Sequence, residues 1–92
     1  MLSNRERFEK FHRENPHVYE LFKRFTFEAI KAGKKNLSVT MIIERIRWET
    51  DVLTSGEPYK INDIFKPYYS RKFMAEFPEH EGFFPTRRLR VA

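Results

Sequence analysis

From Pro16 to about Ala32 the apolar residues Val18, Leu21, Phe22, Phe25, Ala29 and Ala32 recur at spacings of three and four. Such a repeat forms one continuous stripe only on an α-helix. Phe27 and Ile30 widen the stripe, so the spacing predicts a central helix touched from two sides. Its ends are signalled as clearly. Asn15 is a strong N-cap residue, Pro16 suits the first helical position, and Gly33 stands where a left-handed C-cap belongs. Lys31, Lys34 and Lys35 surround the negative end of its dipole.

The other elements are arranged around this helix. Ser3-Asn4-Arg5-Glu6 is a capping-box pattern that predicts a first helix from Asn4, with Phe8 and Phe11 facing the same way and Asn15-Pro16 ending it. Ser38 can cap a third helix from Val39 to about Glu49, with Val39, Ile42, Ile43 and Ile46 as its apolar face. Trp48 falls off that stripe, beside Met41 and Arg45, and is expected to be partly buried under the segment of chain after the helix. Thr50–Ile61 changes character: Val52, Thr54, Tyr59 and Ile61 alternate with polar residues around Ser55-Gly56-Glu57-Pro58, predicting a short β-hairpin or an extended loop. Asn62–Lys66 reads as a turn feeding a fourth helix from Pro67, whose buried side holds Tyr69, Phe73, Met74 and Phe77 before Pro78 stops it. A short strand at Gly82–Pro85 and a basic tail from about residue 86 complete the chain.

The expected fold is therefore mostly α with a minor β element (α+β), four helices plus a short hairpin or extended segments in one small domain spanning residues 1–92. Ten Phe, four Tyr and one Trp supply the bulky buried area that a core in so short a chain needs. The element order is compatible with a winged helix-turn-helix, the third and fourth helices forming the pair. The long Thr50–Ile61 connection departs from the short turn usual in that motif.

Composition excludes several functions. With no cysteine there is neither a disulfide framework nor a thiolate metal site. No apolar run reaches the length of a membrane span, and Met1–Lys10 is too polar for a signal peptide. His12 and His17 straddle the Asn15-Pro16 break, and Glu9 with His12 has the spacing of one half of a di-iron site without the other half. Asp51, Glu57 and Lys60 have the wrong spacing for a nuclease centre, and Pro58 interrupts the strand that would aim them. No phosphate-cradling glycine motif or serine elbow occurs. No enzyme activity, cofactor or metal is expected.

What remains is charge. Eighteen Lys and Arg against thirteen Asp and Glu give a net charge of +5, with the excess at Lys31–Lys35 and at Arg87, Arg88 and Arg90. A basic balance favours polyanionic partners. On the fourth helix Tyr68, Arg71, Lys72 and Ala75 share the side opposite the Tyr69/Phe73/Phe77 stripe, a basic ridge suited to phosphates and base edges. Asn62 and Ser70 could add hydrogen bonds. Most phenylalanines belong to the core by their spacing. Tyr68, Phe83 and Phe84 are the aromatics open to stacking on bases, and Phe83-Phe84 can alternatively pin the last segment to the core.

Several stretches together carry a resemblance: Phe8-Glu9-Lys10-Phe11-His12, Asn15-Pro16-His17-Val18-Tyr19, Ile42-Ile43-Glu44-Arg45-Ile46-Arg47-Trp48, Tyr59-Lys60-Ile61-Asn62, Pro67-Tyr68-Tyr69-Ser70-Arg71 and Gly82-Phe83-Phe84 before Arg87-Arg88-Leu89. Over Phe8 to Arg88 the chain resembles small uncharacterised proteins encoded by bacteriophages and prophages. The resemblance implies a soluble protein of the bacterial cytoplasm and transfers no catalytic residue.

The leading expectation is a non-catalytic, regulatory DNA-binding protein. Lys34, Lys35, Arg87, Arg88 and Arg90 would clamp the backbone while Tyr68, Arg71 and Lys72, with Asn62, face the groove. A homodimer is compatible with this. All of it requires the cations to converge on one flank. The alternative is a module that binds a host or phage protein, anchored by Trp48 and Arg45.

Overall fold

The computed structural model describes residues 2–53 and 61–85. Its elements are α1 (Asn4–Glu14), α2 (Pro16–Lys31), α3 (Val39–Leu53), a 3₁₀ turn at Asp63–Phe65, α4 (Lys66–Glu76) and a second 3₁₀ turn at Pro78–His80. The fold is mostly helical, and no strand occurs among the described residues. The β element and the winged arrangement therefore gain no support.

Local chemistry sets the helix ends. At α1 the Ser3 hydroxyl accepts from the Glu6 amide at 3.2 Å while the Glu6 carboxylate accepts from the Ser3 amide at 3.3 Å, the reciprocal capping box. Asn15 acts differently from the sequence expectation. Its side chain makes no cap bond to α2 and instead donates to the Phe11 carbonyl at 3.1 Å, closing α1. Pro16 lacks an amide hydrogen, which removes one donor that an N-cap would otherwise have to satisfy.

At the far end of α2, Gly33 adopts φ +95°. Its amide donates to Ile30 at 3.0 Å and that of Lys34 to Ala29 at 3.1 Å, the paired bonds of a Schellman ending. A side chain at residue 33 would meet no neighbour. The preference for glycine there comes from the left-handed backbone alone.

Two boundaries differ from the sequence reading. The third helix does not stop at Glu49 but continues through Leu53, so the first part of the expected hairpin is helical. The buried Thr50 hydroxyl donates to the Ile46 carbonyl at 2.9 Å, and Ile43, Ile46 and Thr50 form one buried helical line. Thr50 and Val52, read as the start of an extended segment, instead lie within α3. The rest of the hairpin segment, residues 54–60, lies outside the described residues. The fourth helix begins at Lys66 rather than Pro67, because the Asn62-capped 3₁₀ turn already delivers the chain in helical geometry. The expected strand at Gly82–Pro85 is instead a turn with Gly82 at φ +84°. Its backbone is tied to the α2–α3 connection by a Leu37 amide bond to the Phe83 carbonyl at 3.0 Å.

Helix α2 is central and touches α1, α3 and α4. Its Phe22 ring meets Tyr69, Phe73 and Phe84 at centroid distances of 5.3–6.3 Å. From α1, Phe8 stands edge-on to Tyr69 at 4.8 Å and stacks with Tyr68 at 5.3 Å. Each such pair adds roughly 0.5–1.5 kcal/mol beyond the area it buries. On the other flank α3 supplies Ile42, Ile43 and Ile46, all buried. No described helix is long and apolar enough to cross a membrane.

Candidate nucleic-acid interface

The cations are best sorted by what already neutralises them. Arg5 pairs with Glu9 at 3.2 Å, Lys23 with Glu20 at 3.1 Å, and Arg24 with Glu28 at 3.7 Å. Arg45 is held by Glu28 at 2.7 Å and lies 4.1 Å from the Phe25 ring centre. Arg47 binds Glu44, the Ile61 carbonyl and Asp63, and Lys66 joins the same Asp63 at 3.3 Å. Burial of Arg47 opposes its charge, but hydrogen bonds to Asp63 and Glu44 outweigh this and raise its pKa, while those from Arg47 and Lys66 lower that of Asp63. This cluster is structural: it fastens the start of the Ile61–Asp63 segment onto α3.

Among the described residues, Lys31, Lys34, Lys35, Arg71 and Lys72 are left without an ion pair, together with Arg7, Lys10 and Arg13 on α1. All three lysines at the C-terminal end of α2 and both cations of the α4 ridge are thus available to an external anion.

On α4 the residues of the expected ridge differ in exposure. Arg71 and Ala75 are exposed, with Tyr68 and Lys72 half-buried along one edge. Arg71 sits 5.8 Å from the Tyr68 ring centre and Lys72 5.2 Å from that of Tyr19. These aromatic floors favour the cations and limit their motion without neutralising them. Tyr68 is itself stacked on Phe8, so it serves as a floor for Arg71 and part of the packing of α1. Phe83 and Phe84 are 5% and 1% exposed, which closes them to base stacking and fixes their role as pins of the last segment.

Other predicted contacts have local duties. The Asn62 side chain accepts from the Ile64 amide at 3.1 Å and caps the 3₁₀ turn. Ser70 is buried and donates to the Pro67 carbonyl at 3.0 Å, so it cannot face a ligand. Arg87, Arg88 and Arg90 lie outside the described residues.

The predicted cations of the described residues fall into two groups spaced along α2. Lys72 lies against Tyr19, in the first turn of α2, whereas Lys34 and Lys35 come after its last turn. Tyr19 and Lys31 are twelve residues apart on one helix, about 18 Å at the α-helical rise. Lys34 and Lys35 also share a shallow recess of about 280 Å³ with Glu79 and Glu81, which offset part of their charge. Arg71 and Lys72 are lodged against tyrosine rings, whereas Lys34 and Lys35 lie beside these carboxylates.

Sequence reasoning passed over two features. His12 belongs to the inner face of α1, stacked with Phe8 at 5.9 Å and edge-on to Tyr19 at 5.5 Å. Burial, then the charges of Lys72 and Lys23, lower its pKa against the opposing effect of Glu20. Its position one turn after Phe8 was the available signal. The second is Met41, 61% exposed on the same helix as Trp48; Trp48, named from the sequence as the alternative anchor but expected to be covered, is itself 66% exposed. Among the described residues no group of three His, Asp or Glu side chains converges to hold a metal ion. Comparisons with protein families, curated proteins and solved structures gave no match.

Proposed function

We propose that this protein binds nucleic acid, duplex DNA foremost, without catalysing a reaction on it. The observation that carries the reading is the α4 ridge: the consecutive residues Arg71 and Lys72 have no carboxylate partner among the described residues, and each lies near a tyrosine ring. Ion pairing elsewhere consumes most of the acids, so the excess charge of the chain is concentrated in such uncompensated groups. Two fixed cations on one helical edge can engage successive phosphates, and Tyr68 adds a hydroxyl at the same edge. Lys34 and Lys35 form a second, weaker contact point about 18 Å farther along α2, so the reading rests on the ridge and not on the convergence of all the cations expected from the sequence. In the phage or prophage setting implied by the resemblance, such a protein would act in regulation.

Titrating a fluorescein-labelled duplex at several salt concentrations tests this. Counterion release makes log K fall linearly with log salt, by about 0.9 per phosphate contact. The double substitution Arg71→Ala with Lys72→Ala is expected to reduce that slope by about 1.8 and to weaken binding at low salt. Absence of any anisotropy change at low salt would sink the reading. An unchanged slope in the double variant would remove the ridge from it.

A further inference from the structure

The ring of Tyr19 gathers ionisable groups from three helices. Lys72 of α4 stands 5.2 Å from its centre and Lys23 of α2 stands 4.9 Å from it, while the His12 ring of α1 meets it edge-on at 5.5 Å. The Tyr19 hydroxyl donates to the Glu76 carboxylate of α4 at 2.5 Å. Glu20, the next residue on α2, also acts on His12 by its charge. On α1 itself, Glu9 lies one turn before His12 and is held by Arg5 at 3.2 Å.

These charges are unevenly answered. Lys23 is met by Glu20 at 3.1 Å and by Glu76 at 3.8 Å, and Arg5 and Glu9 offset each other. Lys72 has no carboxylate partner among the described residues. It is therefore the uncompensated charge that His12 faces across the Tyr19 ring. The imidazole is also packed between Phe8 and Tyr19, and its Nδ1 is buried without a hydrogen-bond partner among the described residues. Burial first, and then Lys72, hold the His12 pKa below its usual value.

An anion seated on Lys72 reverses the second of these effects. It offsets the unpaired positive charge and adds a negative one on the same side of the imidazole, which favours the charged form. His12 and Lys72 flank a single ring, so their separation is of the order of the screening length, about 8 Å at physiological salt. We infer that His12 gains a proton when a phosphate group of a nucleic acid occupies Lys72, so that the α4 ridge binds more tightly as pH falls through the imidazole range. The coupling rests on nucleic-acid binding at α4 and is reciprocal: the factor by which bound phosphate raises proton affinity is the factor by which the proton raises phosphate affinity. His80 packs on Phe27 and Phe73 and does not share this ring.

The test titrates the full chain into a rhodamine-labelled duplex at pH 7.5 and 5.5 and one ionic strength. On acidification the native chain should gain roughly threefold more affinity than His12→Asn, a little below the usual range for coupled sites because the charges are partly screened. His17→Asn, at an exposed position, should keep most of the native gain. Proton NMR of the native chain reads the same coupling without a variant. The His12 ring resonance, identified by its contacts with Phe8 and Tyr19, should titrate at higher pH with saturating duplex than without it. Lys72→Ala should move the midpoint of the free chain in the same direction. Binding with an equal gain in the native and His12→Asn proteins, both folded by circular dichroism, would overturn the coupling and leave the α4 reading standing. So would a His12 midpoint that the duplex does not move. Absence of binding at both pH values would remove the two together.

Discussion

The two flanks of α2 are closed in different ways. Toward α1 and α4, Tyr19 and Phe22 both meet Tyr69, Phe22 also meets Phe73 and Phe84, and Phe8 of α1 stands edge-on to Tyr69, so this flank is sealed by interlocking aromatic faces and edges. Toward α3, the compact side chains of Ile42, Ile43 and Ile46 cover the middle of α2, and a groove past Ala29 stays open. On the open flank the short Ala29 and Ala32 follow Phe25 along α2, and alanine opposite isoleucine leaves space that no ring fills. Stability is thus concentrated on one flank and accessible apolar surface on the other.

The sharpest way to break this contrast is Phe73→Ala. Phe73 has no exposure and touches the rings of Phe22, Phe27, Phe77 and Phe84, so its truncation should cost about 3–5 kcal/mol in urea unfolding. A loss below about 2 kcal/mol would mean that the aromatic flank collapses around the cavity and is less rigidly packed than its ring contacts imply.

A second prediction concerns pH. His12 lies on the sealed flank with its pKa lowered, chiefly by burial, so the unfolded chain binds its proton more readily than the folded one. The contribution of neutral His12 is fully present above its ordinary value of 6.5 and is lost as pH falls through the lower folded value. Unfolding midpoints should decline from pH 7.5 to 5.5 in the native sequence and stay flatter in His12→Asn. Equal slopes in the two proteins would place the imidazole in water.

The smallest effect belongs to the open flank. Trp48→Ala should change stability by less than about 0.5 kcal/mol, as for a surface position. If thermal unfolding shows a larger loss, Trp48 has a cover within the chain and the two flanks are more alike than their packing suggests.

Much of the fold was legible in the sequence because it is local. The Ser3/Glu6 box, Pro16, Gly33 and the three-and-four spacing on the second and fourth helices act through neighbours one turn away. Where the reading failed, two local patterns competed. Thr50 and Val52 suit a strand, yet Thr50 also falls four residues after Ile46, and packing on the core favours the helical alternative. The candidate site was legible only in part. The shared ridge of Tyr68, Arg71 and Lys72 comes from helical spacing, but the local duties of Asn62 and Ser70 depend on the turn that joins them to α4.

The sequence by itself determined where the first three helices begin, which side of each is apolar, and that positive charge exceeds negative. Only the tertiary structure decided that the α4 cations and the lysines after α2 stand at opposite ends of a helix, and that Trp48 faces outward. Periodicity specifies a buried face but not the element that covers it. That choice is made by contacts between residues far apart in the chain.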